Sequence, residues 1–261
     1  MGETLREILH HRDLLYMLTW REIKIRYKQS IMGFAWALLM PMVIVGAGVV
    51  VRIVFSSFSG TPVQTSDIAS VAVKSAPYAF LVAAMRFGTS SLIGNANLLS
   101  KVYMPCLVFP LSAVGAQMMD FAIASAVLGI ALVVLGVGFS ANLLWLPVLF
   151  VTLLMLVVAG AVILSAASLF FRDVKYLVDV MLTFAVFFVP VVYDANALGR
   201  WRSAILLNPV SPVLQSISDT VVGHRPPDLP WLGYSVAFGA VALVLSVIAF
   251  RKLEPFFAES V

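Results

Sequence analysis

Asp120 is the only charge between Cys106 and Gly136, in a run that is otherwise apolar. An ionisable side chain at that depth in an apolar helix is costly unless it faces a partner or a polar path. Two readings follow: an ion or proton site, or a buried carboxyl bonded to a neighbouring helix. Further on, Phe184, Phe187 and Phe188, with Tyr193, form an aromatic stripe at helical spacing. Aromatic faces can contact sugar C–H surfaces without trapping them, but the same rings could equally pack or face lipid. Near the N-terminus Tyr16, Trp20, Ile23 and Tyr27 recur at i, i+4, i+7 and i+11, beside a basic stripe of Arg21, Lys24 and Lys28. That pairing predicts a helix lying in a membrane interface, rings at headgroup depth and cations toward anionic lipid. The plainer reading is a juxtamembrane anchor.

Much chemistry is missing. No G-x-x-x-x-G-K-[ST], H-E-x-x-H or G-x-S-x-G stands in the chain, which argues against a P-loop ATPase, a zincin and a nucleophile-elbow hydrolase. His10, His11 and His224 are not at ligand spacing with carboxylates, and the lone Cys106 permits no internal disulfide or multi-thiol metal site. An enzyme acting alone fits poorly. A channel or transporter subunit fits better, and a membrane-bound enzyme acting on lipid-linked sugar ranks below both.

The elements that must position these residues are membrane helices. Of the 261 residues 61% are hydrophobic and 11% charged, with a mean hydropathy of +1.01; ordinary soluble domains are about 25% charged. About 20 residues span a hydrocarbon core. Uncharged runs predict spans at Ile31–Val51, closed by Arg52, at Cys106–Gly136, at Leu143–Leu169, at Val178–Tyr193 and at Trp231–Phe250. The cluster Gly136 to Asn142 supplies the turn that divides the charge-free stretch from Phe121 to Phe171. A weaker sixth span, Ser75–Gly94, carries Arg86, which must snorkel or face a polar path.

With the N-terminus inside, cytoplasmic segments hold Arg6, Arg12, Arg21, Lys24, Arg26, Lys28, Lys101, Arg172, Lys175, Arg251 and Lys252, against Lys74, Arg200, Arg202 and Arg225 outside. This bias predicts that both termini are cytoplasmic and that Ser75–Gly94 crosses, because otherwise every later loop would invert. The charged first 30 residues have no leading apolar core and predict no cleaved signal. The expectation is one all-α transmembrane domain over 1–261: an interfacial helix in 1–30, a six-span core in 31–250 and a cytoplasmic tail in 251–261. Within Asp194–Pro230, Ser203–Leu207 and Val210–Val222 are too short to cross and read as re-entrant or interfacial external helices.

Four stretches in order carry a resemblance. They are Trp20-Arg-Glu-Ile-Lys-Ile-Arg-Tyr-Lys-Gln-Ser30 with Gly33, Trp36 and Pro41; Gly94-Asn-Ala-Asn-Leu-Leu-Ser-Lys-Val-Tyr-Met-Pro105; Phe171-Arg-Asp-Val-Lys-Tyr176; and Leu207-Asn-Pro-Val-Ser-Pro212 with Glu254-Pro-Phe-Phe-Ala258. Together they resemble the membrane subunit of type-2 ATP-binding-cassette exporters of lipid-linked polysaccharide, the permeases for O-antigen, capsule or teichoic acid. The resemblance covers nearly the whole chain. It departs at Cys106, where the family usually has Arg, and between Pro77 and Gly94, where the chain looks about ten residues short and lacks a Gly-Leu-x-Pro-Trp-like piece.

The resemblance implies a homodimer joined to two copies of a P-loop ATPase, in a bacterial cytoplasmic (inner) membrane. The ATPase would bind ATP and Mg; this chain would hold no cofactor and no metal, and would meet no nucleic acid. The substrate would be an undecaprenyl-linked glycan. Asn95, Asn97, Lys101 and Tyr103 in one cytoplasmic connection, and Arg172, Asp173, Lys175 and Tyr176 in the other, would contact the ATPase. Trp36, Asp120, Phe184, Phe187, Phe188 and Tyr193 would line the substrate path. The rival is an ATP-independent carrier or channel with Asp120 as its ion or proton site.

Overall fold

A computed structural model describes residues 10–28, 35–59, 64–99, 104–134 and 136–257. Among them the ordered elements are all helical, with no strand. The long helices are α1 (Arg12–Lys28), α2 (Ala35–Ser59), α3 (Thr65–Gly94), α4 (Val108–Val134), α5 (Leu146–Phe170), α6 (Asp173–Phe188), α7 (Val210–Val221) and α8 (Leu229–Leu253). Short turns at Ala96–Leu99, Ala141–Trp145, Ala195–Trp201 and Arg202–Leu206 connect them. By length and composition four helices among the described residues could cross a membrane: Thr65–Gly94, Val108–Val134, Ala141–Phe170 and Leu229–Phe256. Leu38–Val54 is a shorter apolar helix, and α6 has 16 residues.

The segment Ser75–Gly94, expected to be the short and doubtful span, belongs to the most buried of the four helices long and apolar enough to cross a membrane. It is 30 residues long because it starts at Thr65, with a capping box between Gln64 and Asp67. The charges that seemed to delimit it are absorbed. Lys74, assigned to an outside loop, is fully buried inside α3 and donates to the Tyr193 carbonyl at 2.8 Å. Arg52, expected to close the first span, lies within α2 and meets Asp67 at 2.6 Å. Arg86 meets Asp179 of α6 at 2.8 Å. Isolated charges inside apolar runs mark ion pairs here, not helix ends.

The core forms where α3 and α5 cross. A side chain on Gly88 would place its Cβ 2.6 Å from that of Ala161, so the backbones approach as only small residues allow. The Ser168 hydroxyl reaches across to the Thr89 carbonyl at 2.5 Å. Thr89, Ser91, Thr152 and Ser165 bond carbonyls of their own helix, which satisfies hydroxyls that have no water to meet. Phe121 of α4 stacks on Phe150 of α5 at 5.2 Å, and Phe80 of α3 lies 5.3 Å from Phe121. A second apolar cluster joins Leu18, Leu92, Phe109, Leu169, Phe250 and Phe257 at the opposite end.

The connections gather at two ends. Asn142 donates to the His224 carbonyl, Ser70 bonds Ser218, and Arg202 pairs with Asp228 at one end. At the other, Arg21 reaches Asn95, the Cys106 amide donates to Glu254, and Phe170 packs on Phe257. The expected turn after Gly136 is present, with φ +75° at that glycine. The two short helices before the last span stand at Arg202–Leu206 and Val210–Val221, close to their expected positions.

A Gly88→Leu chain should lose about 1–3 kcal/mol of stability through overpacking against the Ala161 backbone. Thermal unfolding in detergent should show a lowered midpoint. The same change at Gly46, which faces open space, should leave it near wild type.

Candidate functional site

Helix α1 is the element whose placement differs most from expectation. It carries the exposed Tyr16, Trp20 and Lys24, with Lys24 over the Trp20 ring at 5.6 Å. Lys28 is exposed as well. The helix also packs along α4. Thr19 packs at Gly115 of α4, and Arg26 reaches both Gln117 at 3.0 Å and Asp120 at 2.5 Å. Asp120 lies about 18 Å along α4 from Val108, at 1.5 Å per residue. Tyr27, expected at headgroup depth, instead donates its hydroxyl to the other Asp120 oxygen. Burial, then the Asp120 carboxylate, pushes the Tyr27 phenol above its ordinary range. Arg26 also stands over the Phe87 ring at 4.5 Å.

Asp120 is therefore a held carboxylate. Its side chain and that of Arg26 are 21% and 25% exposed, enough burial for pairing to matter. Gln117, almost fully buried, accepts from Arg26 through Oε1, while its Nε2 has no partner among the described residues. These groups form one wall of a cavity of about 720 Å³ between α1, α2, α3, α4 and α6. The remaining wall is largely apolar, with Val43, Ile44, Phe80 and Phe121, and Arg86 adds a second cation. Glu22 and Asp120 balance the two arginines, so the cavity has one polar side and is apolar elsewhere.

The aromatic stripe is divided. Phe184, Phe187 and Phe188 project from α6 with 56–71% of their surface exposed. Tyr193 is not on that helix, which ends at Phe188 before Pro190. It folds back, and its hydroxyl donates to the Phe187 carbonyl at 3.2 Å. Trp36 lies in α2, but its side chain falls outside the described residues.

In the first candidate connection, Asn95 ends α3, accepts from Arg21 and donates to the Ser91 carbonyl, while Asn97 is exposed. Lys101 and Tyr103 lie outside the described residues. In the second, Arg172, Asp173, Lys175 and Tyr176 are all exposed. Asp173 opens α6, where a carboxylate suits the helix dipole. Both connections lie at the end that carries Glu254 and Phe257. Sequence reasoning missed Asp179, Asp67 and Arg26; the available signal was one acid and one base each stranded in apolar helices. Among the described residues no group of three or more His, Cys, Asp or Glu side chains gathers to hold a metal.

Cys106 is a poor nucleophile in this setting. Burial first, and Glu254 second, push its thiol up to about 12, so it stays protonated at neutral pH.

No family model matches the chain. It is similar over its full length to the O-antigen export system permease protein RfbA of Myxococcus xanthus, with 29% identity over an alignment of 272 positions and both chains covered completely. Two proteins of the same name from Klebsiella pneumoniae are 23% and 22% identical over 249 residues, covering 95% of this chain and 94% of theirs.

Replacing Arg26 by Gln or Asp120 by Asn should each cost about 1–3 kcal/mol, below the buried-pair range because both side chains are partly exposed. The double replacement should cost less than the sum of the singles. A double-mutant cycle by thermal unfolding measures this, and strict additivity would show that the pair does not couple α1 to α4.

Proposed function

We infer that this chain is a permease subunit of a type-2 ABC exporter, because it is similar along nearly its whole length to O-antigen export permeases. It is a transporter subunit, the permease of a polysaccharide exporter. In our reading a separate P-loop ATPase drives it, with two copies of each chain in the complex and ATP and Mg held by the ATPase. The substrate is a glycan on undecaprenyl diphosphate, an O-antigen intermediate of lipopolysaccharide biosynthesis, carried across the bacterial inner membrane. The chain is one domain with six passes, α2, α3, α4, α5, α6 and α8, and both termini are cytoplasmic.

The observation that carries this reading is the sorting of connections to two ends. Residues 95–99 and 171–176 share one end with α1 and the tail, and present Asn97, Arg172, Asp173, Lys175 and Tyr176 outward. A partner docking there could push on α3 and α6 together, which Arg86 and Asp179 tie to each other. The cavity beside Arg26, Arg86 and Asp120 supports an amphipathic substrate by its long apolar wall and one polar side, where both arginines are held by carboxylates. The exposed Phe184, Phe187 and Phe188 are available to a glycan path or to a second copy. The rival carrier reading is disfavoured, because Asp120 is already engaged by Arg26 and Tyr27.

Coexpression with its P-loop ATPase tests the assignment. The permease alone should hydrolyse no ATP, and the complex should size as two copies of each chain. Arg172→Ala and Asp173→Ala should each lower export and transport-linked ATPase activity by about fivefold or more, the lower end of ordinary coupling energies, while both chains still insert. Wild-type export by both variants would remove these residues from the coupling surface.

A further inference from the structure

A second groove, of about 430 Å³, opens beside α4 and the start of α5, under the turn that follows Gly136. Among the described residues Ser125 is the only polar side chain in its wall; the rest is carbon, including Leu128, Phe121 and Phe150. Gly129, Val133, Phe139 and Pro147 line it and are solvent-exposed, so it opens sideways from the helical body. Such a slot has nothing to offer a sugar, a phosphate or an ion. It suits a hydrocarbon chain.

The end of the slot is polar, and it is held in place. His224 sits at φ +52°, a conformation that a non-glycine residue adopts only when its surroundings impose it. Two bonds impose it: Asn142 donates to the His224 carbonyl at 2.7 Å, and the Arg225 amide donates to the Asp219 carbonyl at 2.9 Å. The imidazole stands over the rim, its Nε2 3.8 Å from where a side chain on Gly138 would begin. Arg225 follows, exposed and with no ion pair among the described residues. In the turn after Gly136 the Ser140 hydroxyl is buried with no hydrogen-bond partner among the described residues. An apolar slot with an imidazole at its rim and an exposed arginine one residue further on is complementary to one acyl chain ending in an anionic headgroup.

We propose that this groove retains one anionic glycerophospholipid from the surrounding leaflet, an acyl chain in the slot and its phosphate at Arg225 and His224. The bound chain fills space between α4 and α5 that no side chain fills. The site is distinct from the cavity beside Asp120, and it needs neither ATP nor a glycan.

Native mass spectrometry of the full chain in detergent, titrated with phosphatidylglycerol, phosphatidylcholine or undecaprenyl phosphate, tests this. Wild type should retain one phosphatidylglycerol per chain in preference to the other two. Gly129→Phe should abolish retention: a Cβ at Gly129 meets nothing within 4 Å, so the ring can enter the slot without a clash. Val133→Trp, at the same rim, serves if that variant does not fold. Arg225→Gln, at an exposed position, should lower the preference for phosphatidylglycerol over phosphatidylcholine by about fivefold. Equal retention by wild type and the folded slot variants would overturn the proposal. So would stronger binding of undecaprenyl phosphate, or loss of a permease dimer in the slot variants, which would make a second copy the occupant.

Discussion

An apolar body cannot leave a charge unpaired, and that constraint organises this molecule. Three Arg–Asp pairs satisfy it, and each ties a different pair of helices: Arg52 to Asp67 between α2 and α3, Arg86 to Asp179 between α3 and α6, and Arg26 to Asp120 between α1 and α4. Such pairs add little net stability over apolar packing, since desolvation offsets much of the attraction. Breaking one is costly, because the survivor is left in a poorly hydrated place. Their effect is therefore on which helices are neighbours and in what alignment. Lys74 extends the same logic, bonding the backbone of the segment after α6 onto α3.

That alignment has a mechanical consequence for an exporter. Helix α3 touches the partners through which motion would pass: α5 by close packing at Gly88, α6 by an ion pair, and α1 through Asn95. In our reading a push on either inner connection is felt by α3, and through it by the cavity that α1 closes with Arg26 and Tyr27. The end of α1 is pinned to α4, so releasing it requires giving up a charged pair.

Much of this was legible in the sequence. The turn at Gly136, the position of α8, the two short helices around Asn208-Pro209 and the absence of strands follow from apolar run lengths and from glycine and proline placement. The charge bias required Ser75–Gly94 to cross, and it is a long apolar helix, α3. What misled was treating a charge as the end of a span: Arg52 lies inside α2, Lys74 inside α3, and Arg86 made a 30-residue helix look short. Hydropathy scores each residue by itself, whereas the cost of a charge depends on a partner many residues away. Tyr27 and Tyr193 were misread for a related reason. Periodicity put them on stripes, but Tyr27 follows the Asp120 carboxylate inward and Tyr193 lies beyond the end that Pro190 imposes on α6.

The mechanism turns on the sidedness of the two ends, because only an inner location lets an ATPase reach both connections. Single cysteines in a Cys106→Ser chain, treated with a membrane-impermeant thiol reagent on intact cells, test it most directly. Positions 64 and 225 should label at once, and positions 97 and 175 only after the membrane is opened. Labelling of position 97 or 175 in intact cells would contradict the account, because that connection would then lie beyond the reach of an ATPase.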